Sequence, residues 1–422
     1  MRGPTLLRSE LCEAETSRFG LPTTILPMTS ASPISTLMRE LLLERSDQNE
    51  FLMNSRYAER VGAPDICDFV FGNPHEMPLP EFGEALAKAA EARSESHFAY
   101  KMSEPGACQI VAESLRDRFA VDFDANDVVM TNGAFAGIAV VLRTILDPGD
   151  EVVYPSPPWF GYVPIIRASG GREVRVVAAP PSFDLDPAGI ERAITPRTRA
   201  VIINSPNNPT GRIYTPERLR EVSEILAAAS AKHGRTIYLI SDEAYNRILF
   251  DGAAFTTPTA YYPASFLIYT YGKTLLTPGQ RMGYVALNPS MSHKTAVLAA
   301  LTTAQVVSGW AFPDAVMQHA ISDLEGMSID LKHLQSKRDR MLEMLRGSGY
   351  SVHKPEGTFY LLPRAPIEDD VAFTRSLAEH DVFVLPGKLV ELPGYFRISL
   401  TASEEMIHRS EPGFAKAIAQ HQ

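Results

Sequence analysis

Short apolar runs alternate with helix-like stretches from about residue 81 onward, and this alternation constrains the fold more than any other feature of the sequence. Such runs lie at 128–131, 151–154, 200–203, 236–241 and 266–269. Strands that are separated by helices are typical of a parallel sheet with helices packed on its faces. The sequence therefore predicts an α/β fold with a mostly parallel sheet.

The part of the chain beyond residue 313 predicts a second, smaller α/β unit. Its first element is predicted as one long amphipathic helix over about 314–346, because apolar residues recur there at helical spacing. Strands are predicted near 358–362, 382–385 and 396–400. At the other end of the chain, residues 32–44 predict a capped helix, residues 66–71 a strand, and residues 1 to about 30 an extended arm.

Charge and cysteine usage exclude several classes of protein. A net charge of −10 and a pI near 5.6, without a basic patch, argue against a nucleic-acid partner. No apolar run approaches the ~20 residues that a membrane span requires. The cysteines Cys12, Cys67 and Cys108 are scattered and lack metal-site spacing. We interpret them as free thiols in a reducing compartment and expect a cytoplasmic protein without a metal site or a membrane partner.

One lysine lies at the mouth of a predicted strand. Residues 266–269 are apolar and lead to Thr270-Tyr-Gly-Lys273, and a Pro–Gly break and Arg281 follow. Burial disfavours the charged form of a lysine, and a neutral amine is a nucleophile toward aldehydes. Arginine keeps its charge and suits a phosphate. This pair indicates pyridoxal phosphate bound as a Schiff base, and the alternative is an ordinary surface lysine.

Other loops after predicted strands each keep a structural alternative. Gly133 opens a predicted helix whose free amides suit an anion, although an ordinary turn has the same pattern. Trp159 suits stacking on a flat ligand or simple packing, and Gly72 suits close approach of a ligand or a plain turn. Asp242 ends an apolar strand and needs a cationic partner, either a pyridinium nitrogen or an arginine. Arg397 suits a substrate carboxylate if it faces inward, and solvent if it faces outward.

The order of these features along the chain resembles the class I and II aminotransferases, which are fold-type I pyridoxal phosphate enzymes. The resemblance covers the chain from about residue 32 to residue 401. Its motifs are Ser205-Pro-Asn-Asn-Pro-Thr-Gly211, Ser241-Asp-Glu-Ala-Tyr245, Lys273 with Arg281 and Gly283 downstream, Pro355-Glu-Gly-Thr-Phe-Tyr360 and Phe396-Arg-Ile-Ser399. It implies a large cofactor-binding domain over 81–313, with a seven-stranded, mostly parallel sheet wrapped by helices. A smaller α/β domain is then built from both chain ends, with an arm and part of this domain in 1–80 and the rest in 314–422.

The resemblance also implies roles for individual residues. Lys273 forms the Schiff base and moves the substrate proton, and Asp242 holds the pyridine nitrogen in its protonated form. Tyr245 and Asn208 bind the 3-hydroxyl oxygen of the ring, and Asn208 also lines the substrate site. The implied catalytic residues are therefore Lys273, Asp242 and Tyr245.

The remaining implied contacts hold the phosphate, the ring face and the substrate. The phosphate ligands are Arg281, Thr270 and the backbone amides of Gly133, Ala134 and Phe135. Trp159 stacks on the ring, and Phe160 is the second candidate for this role. Tyr100 resembles a tyrosine that reaches the cofactor phosphate of a neighbouring copy. Arg397 pairs with the substrate α-carboxylate, and Gly72 lines the same pocket.

The activity implied by the resemblance is amino transfer from an α-amino acid to an α-keto acid, carried out by a homodimer with its active sites at the subunit interface. The runner-up is another reaction on the same scaffold: β/γ-elimination or replacement, oxidation, or carbon–carbon bond formation on an amino acid. A non-catalytic amino-acid sensor ranks last. Relatives of that kind carry an N-terminal DNA-binding domain, and the roughly 30 residues before the first predicted helix are too few for one.

The amino donor stays open at this stage. Gly272 precedes Lys273 where many relatives carry serine, and Pro386-Gly387 is followed by Lys388 rather than by the small residue often found there. No second arginine stands out as the partner of a distal carboxylate. Arg167, Arg247 and Lys388 are unranked candidates for that role.

We predict that Lys273→Ala abolishes turnover, because no other lysine of the chain closes an apolar strand in this way. Pyridoxal phosphate can still bind the variant without a covalent bond, since its phosphate contacts remain. Activity assays and absorbance spectra of the reconstituted variant measure both effects. Normal turnover would contradict the assignment of Lys273.

Overall fold

The computed structural model describes residues 33–421, and the chain divides into two compact units. The first unit ends at Ile66, and its described part consists of the helices α1 (Thr36–Glu44), α2 (Ser46–Asn54) and α3 (Arg56–Arg60). Ser35 begins α1 as its N-cap, because its side chain accepts a hydrogen bond from the backbone N–H of Met38. The predicted arm lies almost wholly outside the described residues.

The second unit begins at Cys67 and holds the remaining elements. Its strands are β1 (Cys67–Asp68), β2 (Val128–Thr131), β3 (Glu151–Ser156), β4 (Arg172–Val177), β5 (Thr198–Asn204), β6 (Tyr238–Asp242), β7 (Ser265–Thr270), β8 (Gly283–Leu287), β9 (Tyr360–Leu361), β10 (Val382–Phe383), β11 (Leu385–Pro386) and β12 (Phe396–Ser399). Its helices are α4 (Pro80–Ala89), α5 (Pro105–Arg118), α6 (Gly133–Ile145), α7 (Tyr162–Ala168), α8 (Pro187–Ala193), α9 (Pro216–His233), α10 (Tyr271–Thr274), α11 (Lys294–Val307), α12 (Ala315–Leu324), α13 (Leu331–Gly347), α14 (Asp370–Glu379) and α15 (Glu404–Ala419). No helix in this described part is long and apolar enough to cross a membrane.

A seven-stranded sheet forms the centre of the second unit, in the order β2-β8-β7-β6-β5-β3-β4. Strands β3 to β7 run parallel to one another, and β8 runs antiparallel to both β7 and β2. The central strands are buried along their whole length, because helices cover both faces of a parallel sheet. The predicted α/β class with a mostly parallel sheet is confirmed.

The antiparallel strand β8 brings three loops to one edge of the sheet. Thr270 ends β7 and lies opposite Gly283, which begins β8, so the chain between them leaves and returns at the same point. Thr131 ends β2 and also lies opposite Gly283, and α6 begins two residues later. The register therefore places Lys273, Arg281 and the first turn of α6 side by side.

A second group of short strands and helices forms the smaller α/β part. Strand β1 pairs in parallel with β10, although more than three hundred residues of sequence separate them, and β12 lies between β11 and β9. Helices α13 and α15 pack on this group around a core that contains Phe69, Phe373, Phe396 and Phe414. The prediction that segments from far apart in the chain build the smaller α/β domain is confirmed.

The single long helix predicted over 314–346 is wrong. Helix α12 ends at Leu324 and α13 begins at Leu331. Asp330 begins α13 as its N-cap, because its side chain accepts hydrogen bonds from the backbone N–H groups of Lys332 and His333. Between the helices, the N–H of Ile329 donates to the carbonyl oxygen of Thr274, a contact that sequence periodicity does not show.

Three predicted strands also differ in length. The strand predicted at 66–71 is limited to β1, and that at 358–362 to β9. The one predicted at 382–385 is divided into β10 and β11. Phe71 and Gly72, which follow the first of these strands, and Tyr360 of β9 line the cavity described below.

A buried carboxylate beneath the sheet edge carries a measurable pH dependence. Glu243 is fully buried and accepts hydrogen bonds from Ser241 and Thr257 on Oε1 and from Asn246 on Oε2. Burial raises the pKa of Glu243 to about 7, against the hydrogen bonds that lower it. The folded state therefore binds a proton that the unfolded state releases at lower pH.

We predict that the free energy of unfolding of the wild type, relative to Glu243→Gln, falls by up to about 3 kcal/mol as pH rises from below 4.5 to above 7. The sign follows because a raised carboxyl pKa stabilises the fold only while the group is protonated. The glutamine amide can donate to Asn246 Oδ1, which has no partner in the described structure. Urea titrations across this range measure the difference, with Glu379→Gln as a surface control. A pH-independent difference would contradict it.

Candidate active site

A cavity of about 300 Å³ opens at the carboxyl ends of β5, β6 and β7. Ligands bind at this edge of open α/β sheets. Its lining includes Phe71, Gly72, Asn73, Ala134, Phe135, Trp159, Phe160, Asn204, Asn208, Asp242, Tyr245, Thr270, Lys273, Arg281, Tyr360 and Arg397. All the site residues expected from the sequence lie in this lining except Gly133 and Tyr100.

Asp242 lies at the end of the apolar strand β6 and is buried. Burial raises the pKa of its carboxyl group, against the lowering effects of Tyr162, the Ala244 N–H and the Lys273 charge. Tyr162 donates its hydroxyl to Asp242 Oδ2 at 2.5 Å. The ion pair with an arginine that the sequence left open does not form in the described part of the chain. The carboxylate thus faces the cavity with a hydroxyl and a backbone amide as its partners.

Lys273 lies in the short helix α10, directly after β7. Its Nζ is 5.8 Å from the ring centroid of Tyr245 and 5.7 Å from that of Phe359. Aromatic ring faces and the nearby cavity leave the amine few competing polar partners. The Lys273 amine therefore lies at the cavity, at the strand end where the sequence predicted it.

Tyr245 and Tyr360 contact each other edge-to-face beside this lysine, with ring centroids 6.0 Å apart. Burial raises the pKa of Tyr245. Burial also acts to raise the pKa of Tyr360, but the positive charges of Arg397 and Lys273 leave this pKa below its ordinary value. The two tyrosines therefore differ in acidity although they touch.

The first turn of α6 adjoins Arg281 and Thr270. Gly133 has a φ of +79°, and a Cβ atom there would lie 2.9 Å from Arg281 Nη2 and 3.4 Å from Thr270 Oγ1. Only glycine permits both this backbone conformation and this close approach. The first backbone N–H groups of a helix have no partner within it, so the amides that begin at Gly133 and the guanidinium of Arg281 form a site for an anion.

Arg397 faces inward from β12 and is 1% exposed. Its Nη1 donates to Asn208 Oδ1 at 3.1 Å, and its Nη2 donates to the Val70 carbonyl at 3.0 Å. Its Nε has no hydrogen-bond partner among the described residues. The guanidinium stacks over the Tyr360 ring, 4.2 Å from the centroid. A buried arginine with an unpaired donor is placed to receive an anionic ligand.

Gly72 and Trp159 determine the shape of the cavity and carry no charge. A Cβ atom on Gly72 would lie 2.9 Å from Phe359 and 3.0 Å from the Tyr360 hydroxyl, so a larger residue would displace these rings. Trp159 contacts Phe135 edge-to-face, with ring centroids 5.1 Å apart, and Tyr162 in the same manner at 5.4 Å. Its indole therefore forms one fixed wall of the cavity.

Tyr100 lies outside the cavity of its own chain. It is 86% exposed, and its ring lies against that of Phe312, with centroids 4.8 Å apart. The expectation that Tyr100 serves a neighbouring copy is compatible with this position but is not tested by a single chain.

Sequence reasoning assigned no role to Tyr162 or Tyr360. Tyr162 follows Trp159 by three residues and begins α7, so its hydroxyl reaches the end of β6. Tyr360 is the last residue of the motif that begins at Pro355, and this position was its only signal. Both contacts join segments that lie far apart in the chain, so spacing alone does not show them.

Comparison with known proteins identifies the family. The model of the family "Aminotransferase class I and II" matches residues 64–410. The chain belongs to this family. It is similar to the aspartate/prephenate aminotransferase of Thermus thermophilus, with 30% identity over 363 residues that cover 84% of this chain and 92% of the relative. It is also similar to the aspartate aminotransferase of Geobacillus stearothermophilus, with 29% identity over 380 residues that cover 83% and 92%.

Solved structures agree with this membership. An amino transferase from Eubacterium rectale superposes with a TM-score of 0.82 at 30% identity, covering 93% of this chain and 97% of that one. An aspartate aminotransferase variant of Thermus thermophilus superposes with a TM-score of 0.72 at 28% identity, covering 83% and 95%. The protein is therefore a pyridoxal phosphate-dependent aminotransferase, and the fold and activity expected from the sequence are confirmed.

The residues of the cavity fit pyridoxal phosphate. The buried carboxylate of Asp242 has no ion-pair partner in the described chain, and a protonated ring nitrogen would supply one. The anion site formed by the backbone amides that begin at Gly133 and by Arg281 suits a phosphate dianion. The amine of Lys273 suits an aldehyde. Each polar group of the cofactor thus has a complementary group in one cavity.

We predict that Tyr162→Phe lowers kcat/KM by about 10- to 100-fold, because a hydrogen bond to a charged group contributes about 1.5–3 kcal/mol. The hydroxyl also lowers the pKa of Asp242. Its loss therefore shifts the acid limb of the pH–activity profile to higher pH if turnover needs the ionised carboxylate.

Tyr154→Phe is the matched control. The Tyr154 hydroxyl donates to Glu391 at 3.0 Å, and its ring lies 6.3 Å from that of Tyr162. Equal losses in both variants, without a shift of the acid limb in Tyr162→Phe, would show that the Tyr162 hydroxyl acts only through packing.

Proposed function

We propose that this cavity transfers an amino group from an α-amino acid to an α-keto acid, with Lys273, Asp242 and Tyr245 as its catalytic residues. The observation that carries the proposal is that one cavity holds the Lys273 amine, a buried carboxylate without an ion-pair partner among the described residues, an anion site at the start of α6 and an inward-facing arginine. When bound, pyridoxal phosphate supplies an aldehyde for amines and a ring that accepts the electron pair left at the substrate α-carbon.

Lys273 has two tasks in this proposal. Its Nζ holds the cofactor covalently before substrate arrives, and afterwards the same atom takes and returns the α-proton. Asp242 keeps the ring nitrogen protonated, because ionised carboxylate and pyridinium offset each other's burial. Tyr162 positions the carboxylate for this pairing.

Asn208 and Tyr245 are proposed to bind the 3-hydroxyl oxygen of the ring. Because Asn208 Oδ1 accepts from Arg397, its amide Nδ2 is the group left to donate. Trp159 covers one face of the ring. Phe160, the second candidate for stacking, also lines the cavity and lies 5.9 Å from the Arg397 guanidinium, on the substrate side.

The phosphate and the substrate carboxylate are proposed to bind at separate cationic ends of the cavity. Arg281, Thr270 and the backbone amides of Gly133, Ala134 and Phe135 hold the phosphate. Arg397 holds the α-carboxylate, and Gly72 leaves the space that this requires. Two fixed anion sites orient the α-carbon toward Lys273.

We further propose a homodimer in which Tyr100 completes the phosphate site of the other copy. Its support is an exposed apolar rim beside α6, formed by Phe98, Tyr100, Val306, Val307, Trp310 and Phe312. The rim lies beside the start of α6, because Asn132, the residue before this helix, donates to the Trp310 carbonyl at 3.0 Å. Apolar surface of this kind favours association between proteins.

A cytoplasmic location is proposed from the cysteines of the second unit. Cys67 and Cys108 are buried free thiols, which suit a reducing compartment. The division into residues 1–80, 81–313 and 314–422 likewise stays a proposal, supported by the large sheet of the middle segment and by the pairing of β1 with β10.

The proposal predicts two half-reactions that can be followed by absorbance. Adding an amino acid without a keto acid to the holoenzyme should abolish the visible band of the bound cofactor, and 2-oxoglutarate or pyruvate should restore it. If the band recovers without a keto acid while the amino acid is consumed, elimination, replacement or another carbanion reaction replaces transamination. No cofactor absorbance after reconstitution would contradict the site itself.

A further inference from the structure

We infer that the preferred amino donor has an apolar, uncharged side chain rather than a second carboxylate. This inference rests on the proposed function and names its substrate class. It departs from the aspartate named for the relatives above. The observations that carry it are the charges and the aromatic side chains of the cavity wall.

Every charged side chain of the cavity already has a partner in the proposed reaction. Within residues 33–421, the charged groups of the lining are Asp242, Lys273, Arg281 and Arg397. In the proposed reaction, Asp242 pairs with the ring nitrogen and Lys273 with the aldehyde. Arg281 pairs with the phosphate and Arg397 with the substrate α-carboxylate. A second substrate carboxylate therefore meets no remaining cation in the lining formed by residues 33–421, and burying it unpaired is unfavourable.

The cations that the sequence left as candidates lie elsewhere in the structure. Arg167 forms an ion pair with Glu173, and Arg247 forms one with Glu325 while its guanidinium covers the Tyr269 ring. Lys388 is exposed and does not belong to the cavity lining.

The wall beside Arg397 is aromatic. The rings of Tyr360 and Phe160 lie 4.2 Å and 5.9 Å from the Arg397 guanidinium, and Phe71 belongs to the same lining. A substrate held by its α-carboxylate at Arg397 therefore projects its side chain among rings. The Phe160 and Phe71 rings bury an aliphatic or aromatic side chain favourably and offer an anion no donor.

The test uses near-isosteric amino acids, so that charge is varied while size is held. L-leucine, L-asparagine and L-aspartate form one set, and L-methionine, L-glutamine and L-glutamate form the other. Rate constants for the first half-reaction of the holoenzyme are measured as the loss of cofactor absorbance. At amino-acid concentrations well below saturation, we expect leucine and methionine to react at least about tenfold faster than the two acids. Asparagine and glutamine should also react faster than the acids.

A matched pair of variants checks the cause. Asn73 lines the cavity and is exposed, so Asn73→Arg adds a cation without disturbing a packed core. We expect it to raise the ratio of aspartate to leucine reactivity about tenfold over Asn73→Gln, which retains a neutral amide.

If aspartate or glutamate reacts faster with the wild type than its isosteres do, the inference is overturned. This holds whether the missing cation comes from a second copy or from a rearranged loop. The proposed function would remain intact. The inference would also be overturned if acids and isosteres react equally fast with the wild type and the ratio of aspartate to leucine reactivity is the same in Asn73→Arg as in Asn73→Gln. Absence of any half-reaction with all six donors and with L-phenylalanine and L-tyrosine would instead contradict the proposed function.

Discussion

A buried carboxylate that has no ion-pair partner among residues 33–421 sets the conditions for the rest of this active site. Asp242 ends an apolar strand in the middle of the sheet, where an isolated charge is unfavourable by several kcal/mol. Tyr162 and one backbone amide offset part of this cost. The remainder is a reason for a cation to bind. A cofactor with a protonated ring nitrogen would offset this remaining cost, so it suits the electrostatics of the fold as well as the chemistry.

The strand order explains how distant residues meet this carboxylate. Strands β5, β6 and β7 are parallel neighbours, so the loop containing Asn208, the Asp242 strand end and the Lys273 turn share one edge. The reversal into β8 then adds Arg281 and α6 to the same edge. Arg397 arrives from β12 in the smaller α/β part, hydrogen-bonded to Asn208. The proposed cofactor contacts and the substrate contact therefore come from segments that lie far apart in the chain and meet at this edge.

The sequence was informative where a local pattern decides the structure. Apolar runs between helical stretches located the large sheet, and polar residues at strand ends located Asp242 and Lys273 at its ligand-binding edge. It failed where tertiary contacts decide. The break between α12 and α13 is fixed partly by Arg247, which donates to the Glu325 carbonyl at 2.6 Å. Helical periodicity continues through that point, although Gly326 and Asp330 were visible signals. Tyr162 was missed because its partner lies 80 residues away.

The charges of the cavity also bear on how fast ligands arrive. Three cations and one carboxylate line it, whereas the chain as a whole carries a net charge of −10. An anionic substrate or cofactor is therefore repelled at long range and attracted at the mouth. The Debye length is about 8 Å at physiological ionic strength, so salt screens the distant repulsion before it weakens the final contact. The association rate thus depends on ionic strength in two opposing ways, with the balance set by the depth of the cavity.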